Sequence, residues 1–408
     1  MDPVSSAGLD ALRAANPGDA WPAQWTDRCE LSADGAVLEL TLDGCCISCL
    51  PAATLSGLTR LQKLWLSSNA LRSLPPELGQ LTALNTLVLG SNLLRGLPPE
   101  LARLTALMQL SLPSNRLQAL PASLLQLEAL QWLDVSENKV VEVDPGISRL
   151  SNLTRLDLHT NPLERLPPQL GHLLQLKQLA LQCCQLLALP PQLFRCTALT
   201  WLALNANALT CLPPEVGQLQ RLGRLSLHIN LLEAVPQEIG QLSALEALSL
   251  HKNQLAALPD SLAGLTQCCR LSLFENRLRR LPPSLGAMTA LVELWLYSNQ
   301  LEEVPPELCG LTRLKKLWLD RNRLQALPQH ISRLTQLQEL YLDHNRLAAL
   351  PPELAALTQL RRLYLEGNPA DMHVPVAVQQ LACCQGSRPY GLAGTAMAEL
   401  SVRDDQRH

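Results

Sequence analysis

The sequence predicts an α/β solenoid, in which stacked repeats place a parallel β-sheet on the concave face and short helical or 3-10 segments on the convex face. Three observations predict this fold class. One polar position returns every 23 residues from Asn69 to Asn368, leucines keep fixed distances from it, and a proline-containing segment follows it in nearly every unit. Self-similarity at a fixed period of about 20 to 50 residues is typical of repeat architectures.

A short strand opens each unit. In the alternation Leu64, Trp65, Leu66 the leucines point inward and the residue between them points outward. Units in the same register therefore stack their strands into one parallel sheet, with neighbouring strands about 4.8 Å apart. Because the segments on the other side are bulkier, the stack is expected to curve around the sheet.

The turn after the polar position leads into a short helical segment. Pro75 and Pro76 can begin a helical turn, because the missing N–H donor and fixed φ of proline are tolerated at the first helical position. Leu78 and Leu81, three residues apart, would then face the core.

The repeated polar position is asparagine in nearly every unit. Since a buried amide without partners is costly, and since its side chain holds both donors and an acceptor, we predict that it binds backbone groups of its own and the neighbouring turn. This ladder is structural and not catalytic. Cys184 takes the slot in one unit, and Cys45 takes it in a looser unit before the others. The predicted structural ladder comprises Asn69, Asn92, Asn115, Asn138, Asn161, Cys184, Asn207, Asn230, Asn253, Asn276, Asn299, Asn322, Asn345 and Asn368.

The units resemble leucine-rich repeats of the 23-residue type, LPxxLxxLxxLxxLxLxxNxL. The resemblance covers residues 36–370 and implies a leucine-rich-repeat solenoid, a curved horseshoe of about 15 repeats. The LPPELGQLTAL style of residues 74–84 is similar to intracellular Ras-group leucine-rich-repeat scaffold proteins, and also to plant and algal leucine-rich-repeat proteins. The Ras-group resemblance implies that the partner is a small GTPase or its associated phosphatase or kinase.

The two ends of the array are predicted to be caps, because terminal repeats would otherwise expose leucines. We expect an N-terminal cap over residues 1–35, in which Trp21 and Trp25 cover the first edge. A C-terminal capping helix is expected over residues 371–385, and a mobile tail over residues 386–408.

Composition argues against several classes of function. The formal net charge of −3 gives no electrostatic footprint for nucleic acid or an anionic membrane, so neither is expected as a partner. No apolar run approaches the roughly 18 residues of a membrane span, and the first twenty residues lack the pattern of a secretion signal. Thirteen cysteines, an odd number, argue against a disulfide framework. We expect a cytoplasmic protein that is monomeric on its own.

No motif for catalysis or cofactor binding is evident. The sequence has no Gly-rich phosphate loop, HExxH, nucleophile elbow or kinase signature, so neither enzyme activity nor a cofactor is expected. His228 and His251 occupy equivalent outward positions on neighbouring strands, close enough to share a metal. The repeat alone explains their proximity, and no third ligand is evident, so no metal site is expected.

The outward strand positions of the last units combine aromatic and acidic residues. Six of the thirteen aromatic residues of the chain lie there, and aromatic residues dominate interface hot spots. Acidic residues on adjacent strands should destabilise the sheet unless a partner compensates them. The predicted protein-binding residues are Phe274, Trp295, Tyr297, Trp318, Asp320, Tyr341, Asp343, Tyr364 and Glu366.

Other readings of this patch stay open. Neighbouring rings could simply pack on one another, and Arg321, Arg323 and Arg346 could neutralise part of the acidic charge. At a second outward position the charges alternate in sign and can pair with one another, so no partner protein is needed to account for them. Its residues are Glu293, Lys316, Glu339 and Arg362. If the patch binds, a basic or arginine-bearing segment is favoured, since arginine pairs with acids and stacks on rings. A sparser mixed patch contains Trp65, Trp132, Asp134, Arg155, Asp157 and His159.

The function predicted from the sequence is a non-enzymatic protein–protein interaction scaffold in intracellular signalling, which binds its partner on the concave face. One alternative is a ligand-recognition receptor ectodomain, extracellular or membrane-tethered, which would need a secretion signal, paired cap cysteines and a membrane span. A ligase-like effector enzyme would need a catalytic domain.

Overall fold

A computed structural model of the chain describes residues 3–17 and 27–381. Trp21, Trp25 and the predicted tail lie outside these described residues, and the predicted cap boundaries stay predictions. Contacts between Cα atoms divide the chain into two compact units, Met1–Gln254 and Leu255–His408.

The strands of the first unit follow chain order in the sheet. Strands β1 (Cys29–Leu31), which lies within the predicted N-terminal cap, and β2 (Val37–Thr41) pair antiparallel. The chain reverses between them at Gly35, whose φ of 85° is open to glycine without a side-chain clash. Every pair that follows in this unit is parallel and in register, as predicted. The other strands are β3 (Lys63–Trp65), β4 (Thr86–Val88), β5 (Gln109–Ser111), β6 (Trp132–Asp134), β7 (Arg155–Asp157), β8 (Gln178–Ala180), β9 (Trp201–Ala203), β10 (Arg224–Ser226) and β11 (Ala247–Ser249).

The described strands of the second unit also pair in chain order, and each pair is parallel. The middle residue of each strand is a leucine that packs inward, while the residues on either side of it point outward. These strands are β12 (Arg270–Ser272), β13 (Glu293–Trp295), β14 (Lys316–Trp318), β15 (Glu339–Tyr341) and β16 (Arg362–Tyr364).

The helical segments between strands are 3-10 helices. The N–H of Leu78 donates to the carbonyl of Pro75, and the N–H of Leu81 to that of Leu78, both at 3.1 Å. Leu78 and Leu81 are fully buried. Both outcomes agree with the sequence prediction. The 3-10 helices are Pro76–Gln80, Pro99–Arg103, Leu124–Gln126, Pro145–Arg149, Pro168–His172, Pro191–Arg195, Pro214–Gln218 and Gln237–Gln241 in the first unit, and Asp260–Gly264, Pro283–Ala287, Pro306–Gly310, Gln329–Arg333 and Pro352–Ala356 in the second.

Three α-helices lie near the ends of the described residues. Helix α1 (Pro3–Ala15) is followed by Asn16, whose Nδ2 donates to the carbonyl of Cys49 at 2.9 Å and whose Oδ1 accepts from the N–H of Ser48 at 2.8 Å. These bonds fix the helix end to the first repeat, and α2 (Ala52–Ser56) packs against α1.

At the other end, helix α3 (Val376–Gln379) contacts the 3-10 helix Pro352–Ala356. The side chains of Val378 and Leu381 are buried there. Of the predicted capping-helix span, residues 371–381 are described, and four of these are helical.

The ladder asparagines bind the backbone of two successive turns. Nδ2 of Asn92 donates to the carbonyls of Leu66, at 2.8 Å, and Leu89, at 3.1 Å. Its Oδ1 accepts from the N–H of Leu71 at 3.0 Å. The same contacts recur along each unit, so each asparagine ties its own turn to the preceding one.

Cys184 fulfils only half of this role. Its Sγ donates to the carbonyl of Leu158 at 3.3 Å, but the thiol has no oxygen to accept from the preceding turn. The N–H of Leu163 instead donates to the backbone carbonyl of Asn161 at 2.8 Å. Gln185 adopts a left-handed φ of 63°, which no residue after a ladder asparagine shows among the described residues.

The residue immediately before each ladder position is also left-handed. Its φ lies between 52° and 56° at every non-glycine residue in that place, including the β-branched Ile229. Left-handed backbone is disfavoured for a β-branched residue. The hydrogen bonds of the turn therefore set this conformation, whatever the residue type.

Candidate protein-binding face

Four aromatic side chains lie at the last residue of four consecutive strands in the second unit. The strand register places Trp295 beside Trp318, Trp318 beside Tyr341, and Tyr341 beside Tyr364. Successive ring centroids are 5.1, 5.4 and 4.6 Å apart, and the planes lie within 15° of parallel. These residues, the aromatic column, form a continuous stack because every strand presents its ring at the same repeat position.

A second outward position, two residues later, changes from aromatic to acidic along the unit. The rings of Phe274 and Tyr297 stack with centroids 4.3 Å apart. Asp320, Asp343 and Glu366 then occupy the same position in the next three repeats, and we call them the acidic column. The structure therefore brings all nine predicted binding residues onto one face of one unit.

Burial is deepest in the repeat that contains β14. Only 8% of Trp318 and 1% of Asp320 are exposed to solvent. In the next repeat Tyr341 and Asp343 are half-buried, and Glu366 in the last repeat is exposed. Trp318 is buried because rings stack on both of its faces. The side chains of this face are therefore most buried at this repeat.

The two aspartates of the acidic column differ in their partners. Oδ1 of Asp343 accepts a hydrogen bond from the N–H of Glu366 at 2.8 Å. Oδ1 of Asp320 is buried and has no hydrogen-bond partner in the described part of the chain. Burial, with the charge of Asp343 as a smaller cause, raises the pKa of Asp320 to about 6. A hydrogen bond from the backbone N–H of Asp320 to its own carboxylate, followed by the charge of Arg321, opposes the rise in this pKa without matching it.

The alternating charges beside the aromatic column pair with one another. Nζ of Lys316 lies 3.1 Å from Oε1 of Glu293, and Nη1 of Arg362 lies 3.4 Å from Oε1 of Glu339. Tyr341 donates its hydroxyl to Oε2 of Glu339 at 3.0 Å. Burial, followed by the charge of Glu339, raises the pKa of the Tyr341 phenol. Glu339 holds this ring in place, a role that the sequence prediction missed.

Comparison with known families adds independent support for the fold. Profiles described as "Leucine-rich repeat region", "Leucine rich repeat" and "Leucine Rich Repeat" match the chain. A solved leucine-rich-repeat protein of Leptospira interrogans is 34% identical, with a TM-score of 0.74, over 84% of this chain and 92% of its own. The chain belongs to the leucine-rich-repeat proteins. The profile matches span 225–324 for the first, 82–140, 105–163 and 312–369 for the second, and 60–81 for the third.

Other solved leucine-rich-repeat structures are similar to this chain. PEPR1, solved with AtPEP1, is 28% identical with a TM-score of 0.75, over 89% of this chain and 55% of that one. RGFR1, a plant peptide hormone receptor solved in complex with RGF2, is 25% identical with a TM-score of 0.60, over 88% of this chain and 65% of that one. No functionally curated protein matches. The leucine-rich-repeat fold supports a role in protein interaction.

The sparser patch of the first unit is internally paired. Nε of Arg155 lies 2.7 Å from Oδ2 of Asp157, and its guanidinium lies over the Trp132 ring, 4.9 Å from the centroid. Oδ1 of Asp134 accepts from the N–H and the hydroxyl of Ser136, at 3.0 and 2.7 Å. Trp65, on β3, and His159, which bonds to Thr160 at 3.1 Å, take no part in these contacts.

The histidine pair of this leucine-rich-repeat chain lies in the first unit. The rings of His228 and His251 stack with centroids 4.3 Å apart. Burial, followed by the charge of His228, lowers the pKa of His251 to about 3, so that ring is neutral at physiological pH. Residues 3–17 and 27–381 contain no group of three or more metal-ligating side chains suited to an ion. They also contain no helix both long and apolar enough to cross a bilayer.

Proposed function

We propose that this protein is a non-enzymatic interaction scaffold, and that the aromatic and acidic columns of the second unit bind its partner protein. The observation that carries the proposal is the partly exposed aromatic column on consecutive strands. Rigid aromatic rings provide a large contact area at low entropic cost, which favours them as interface anchors.

The arrangement of charges supports the same face. At the alternating position, Lys316 pairs with Glu293 and Arg362 with Glu339. The acidic column instead carries like charges on adjacent turns. Such an arrangement is unfavourable in the free sheet and becomes favourable when a basic surface covers it. We therefore expect a partner with a basic contact segment.

The partner class is proposed from the resemblance of the repeats. The LPPELGQLTAL style supports a cytoplasmic signalling scaffold of the Ras-group type, with a small GTPase or its associated phosphatase or kinase as the partner. The protein is proposed to be monomeric on its own. This assignment rests on fold-level analogy, since one fold supports many functions.

A pulldown with two variants tests the face. Trp318→Ala combined with Tyr341→Ala should remove the centre of the aromatic column and abolish capture of partners that bind wild type. Trp201→Ala, an outward tryptophan on β9 of the first unit, is the matched control and should leave capture unchanged. Circular dichroism checks that each variant is folded. If the folded double variant retains every partner, the assigned face is wrong.

The second candidate function is a ligand-recognition receptor ectodomain. Its support is the similarity to PEPR1 and RGFR1, whose structures contain AtPEP1 and RGF2. Asn152 lies exposed in the sequence Asn152, Leu153, Thr154, which is an N-glycosylation acceptor. Mass spectrometry of the protein from its natural source separates the two proposals. A glycan on Asn152 would support the receptor and overturn the cytoplasmic scaffold.

A further inference from the structure

Among the described acids of the acidic column and of the alternating position beside the aromatic column, all but one have a partner or are exposed to water. Glu293 and Glu339 pair with cations, Asp343 accepts from a backbone N–H, and Glu366 is exposed to water. Asp320 alone combines an exposed fraction of 1% with a carboxylate oxygen that has no hydrogen-bond partner. This carboxylate lies in the most buried repeat of the proposed binding face.

The leucine-rich-repeat fold does not require a carboxylate at this position. The same repeat position holds serine, asparagine, histidine or an aromatic residue elsewhere, with the turn intact: Ser67, Asn205, His228 and Tyr297. A buried carboxylate without a partner opposes folding, and one that also faces a like charge opposes it further. Since other residue types serve at this position, and since Oδ1 of Asp320 has no hydrogen-bond partner among the described residues, this oxygen points to a donor on another molecule.

We propose that Asp320 anchors an arginine side chain of the partner, which enters the face between Tyr297 and Asp343. This inference rests on the proposed function and specifies its chemistry. The planar guanidinium has five N–H donors in a fork that can bridge two carboxylates, and its flat face stacks on aromatic rings. Asp320 lies between Tyr297 and Asp343 along the repeat position; the charge of Asp320 acts on the Tyr297 phenol, and the charge of Asp343 acts on Asp320.

Arginine fits this site better than lysine does. Lysine brings a compact, strongly hydrated charge with no plane to stack on Tyr297. Asp343 already accepts from Glu366, but its carboxylate retains acceptor capacity for a second donor. Because only 1% of Asp320 is exposed, we expect the side chain of Tyr297 or Asp343 to shift when the guanidinium enters.

Binding to a synthetic peptide array tests the proposal with the full chain. The probes are random 12-residue peptides with a fixed central arginine, lysine, citrulline or glutamine, and the affinity of the best arginine peptides is then measured in solution. Wild type should prefer the arginine set. Asp320→Asn should weaken those peptides roughly tenfold to a hundredfold, the effect of losing a hydrogen-bonded charge partner. Glu307→Gln removes an equal charge at an exposed place on the 3-10 helix Pro306–Gly310, outside both columns, and should change affinity about threefold at most.

The outcomes separate the two proposals. If Trp318→Ala with Tyr341→Ala abolishes peptide binding while Asp320→Asn keeps the arginine preference, the arginine site is wrong and the binding face stands. If neither variant affects binding, both are wrong. The arginine site is also wrong if lysine or citrulline peptides bind as tightly as arginine peptides. It is wrong as well if arginine peptides bind no more tightly than glutamine peptides.

Discussion

Each unit carries a pair of aspartates on adjacent repeats, and the two pairs differ in how their charge is compensated. Asp134 and Asp157 lie four residues before the ladder position, whereas Asp320 and Asp343 lie two residues before it. In the first unit Asp157 pairs with Arg155 at 2.7 Å, and Asp134 accepts two bonds from Ser136. In the second unit Asp343 accepts from Glu366 at 2.8 Å, while Oδ1 of Asp320 is left without a partner. Like charges on neighbouring strands are therefore not in themselves a sign of a binding site.

The residue two positions earlier in the chain differs between Asp157 and Asp320. Before Asp157 that residue is Arg155, which reaches the carboxylate and covers the Trp132 ring. Before Asp320 it is Trp318, whose ring is held between those of Trp295 and Tyr341. The first unit thus supplies its own cation to Asp157, whereas the second places an aromatic surface beside Asp320, for which we propose that a partner supplies the cation.

The largest expected effect is the stability gained by Asp320→Asn. The pKa of Asp320 is raised from 3.8 to about 6, so the folded state holds this proton more tightly than the unfolded state. Its cost is absent below pH 4, grows between pH 4 and 6, and is complete above pH 6, at roughly 3 kcal/mol. Urea unfolding should show the variant more stable by about that amount at pH 7.5 and equal to wild type at pH 3.5.

The pH dependence is what distinguishes this effect from ordinary repacking. A stability gain of the same size at both pH values would mean that the gain comes from shape and not from removal of a buried charge. Asp343→Asn is the matched control. It should change stability less, because its carboxylate has the Glu366 N–H that the variant would weaken.

The ladder asparagines show how much stability a polar side chain contributes when all of its hydrogen-bond partners are present. Oδ1 of Asn207 accepts from the N–H groups of Cys184 and Leu186, at 3.1 and 2.9 Å, and Nδ2 donates to the carbonyl of Leu181 at 2.8 Å. Asn207→Ala should lower stability by about 1 to 3 kcal/mol, because these groups lose their partner. Chemical denaturation measures the change.

Asn207→Cys is the control for this variant. Cys184 shows that a thiol in the ladder still donates to the preceding turn, so cysteine should cost less than alanine. Equal losses for cysteine and alanine would mean that the donor contributes nothing. No loss for either would mean that water satisfies these turns.

Much of the fold, but only part of the site, could be predicted from the sequence. A fixed period places every strand in the same register, so the aromatic stack from Trp295 to Tyr364 followed from spacing alone. The isolation of Asp320 did not, because its burial depends on how large neighbouring rings pack. The left-handed backbone before each ladder position could not be predicted either, since residues as different as Ile229 and Gly367 occupy that place.

Asp157→Asn is expected to lower the stability of the fold, whereas Asp320→Asn is expected to raise it. The change for Asp157→Asn should be the smaller of the two. The change breaks the ion pair with Arg155, whose side chain is 44% exposed and can return to water, so the loss should be about 1 to 2 kcal/mol at pH 7.5. Thermal unfolding measures it. The double variant with Arg155→Met removes both charges and should recover part of the loss. A gain in stability would mean that the first unit, too, leaves its acid uncompensated.

The smallest expected effect comes from Lys316→Met, which breaks the pair with Glu293 at 3.1 Å in the second unit. The Lys316 side chain is 37% exposed, and such pairs contribute about 0.2 to 1 kcal/mol, so unfolding should shift by less than about 0.5 kcal/mol. Lys316 also lies 5.8 Å from the centroid of the Trp318 ring, and methionine preserves most of the packing of its stem. A loss comparable with that of Asp157→Asn would show that the charges beside the aromatic column are needed for folding. A near-zero effect would mean that the pair of Lys316 with Glu293, unlike that of Arg155 with Asp157 in the first unit, is unimportant to stability.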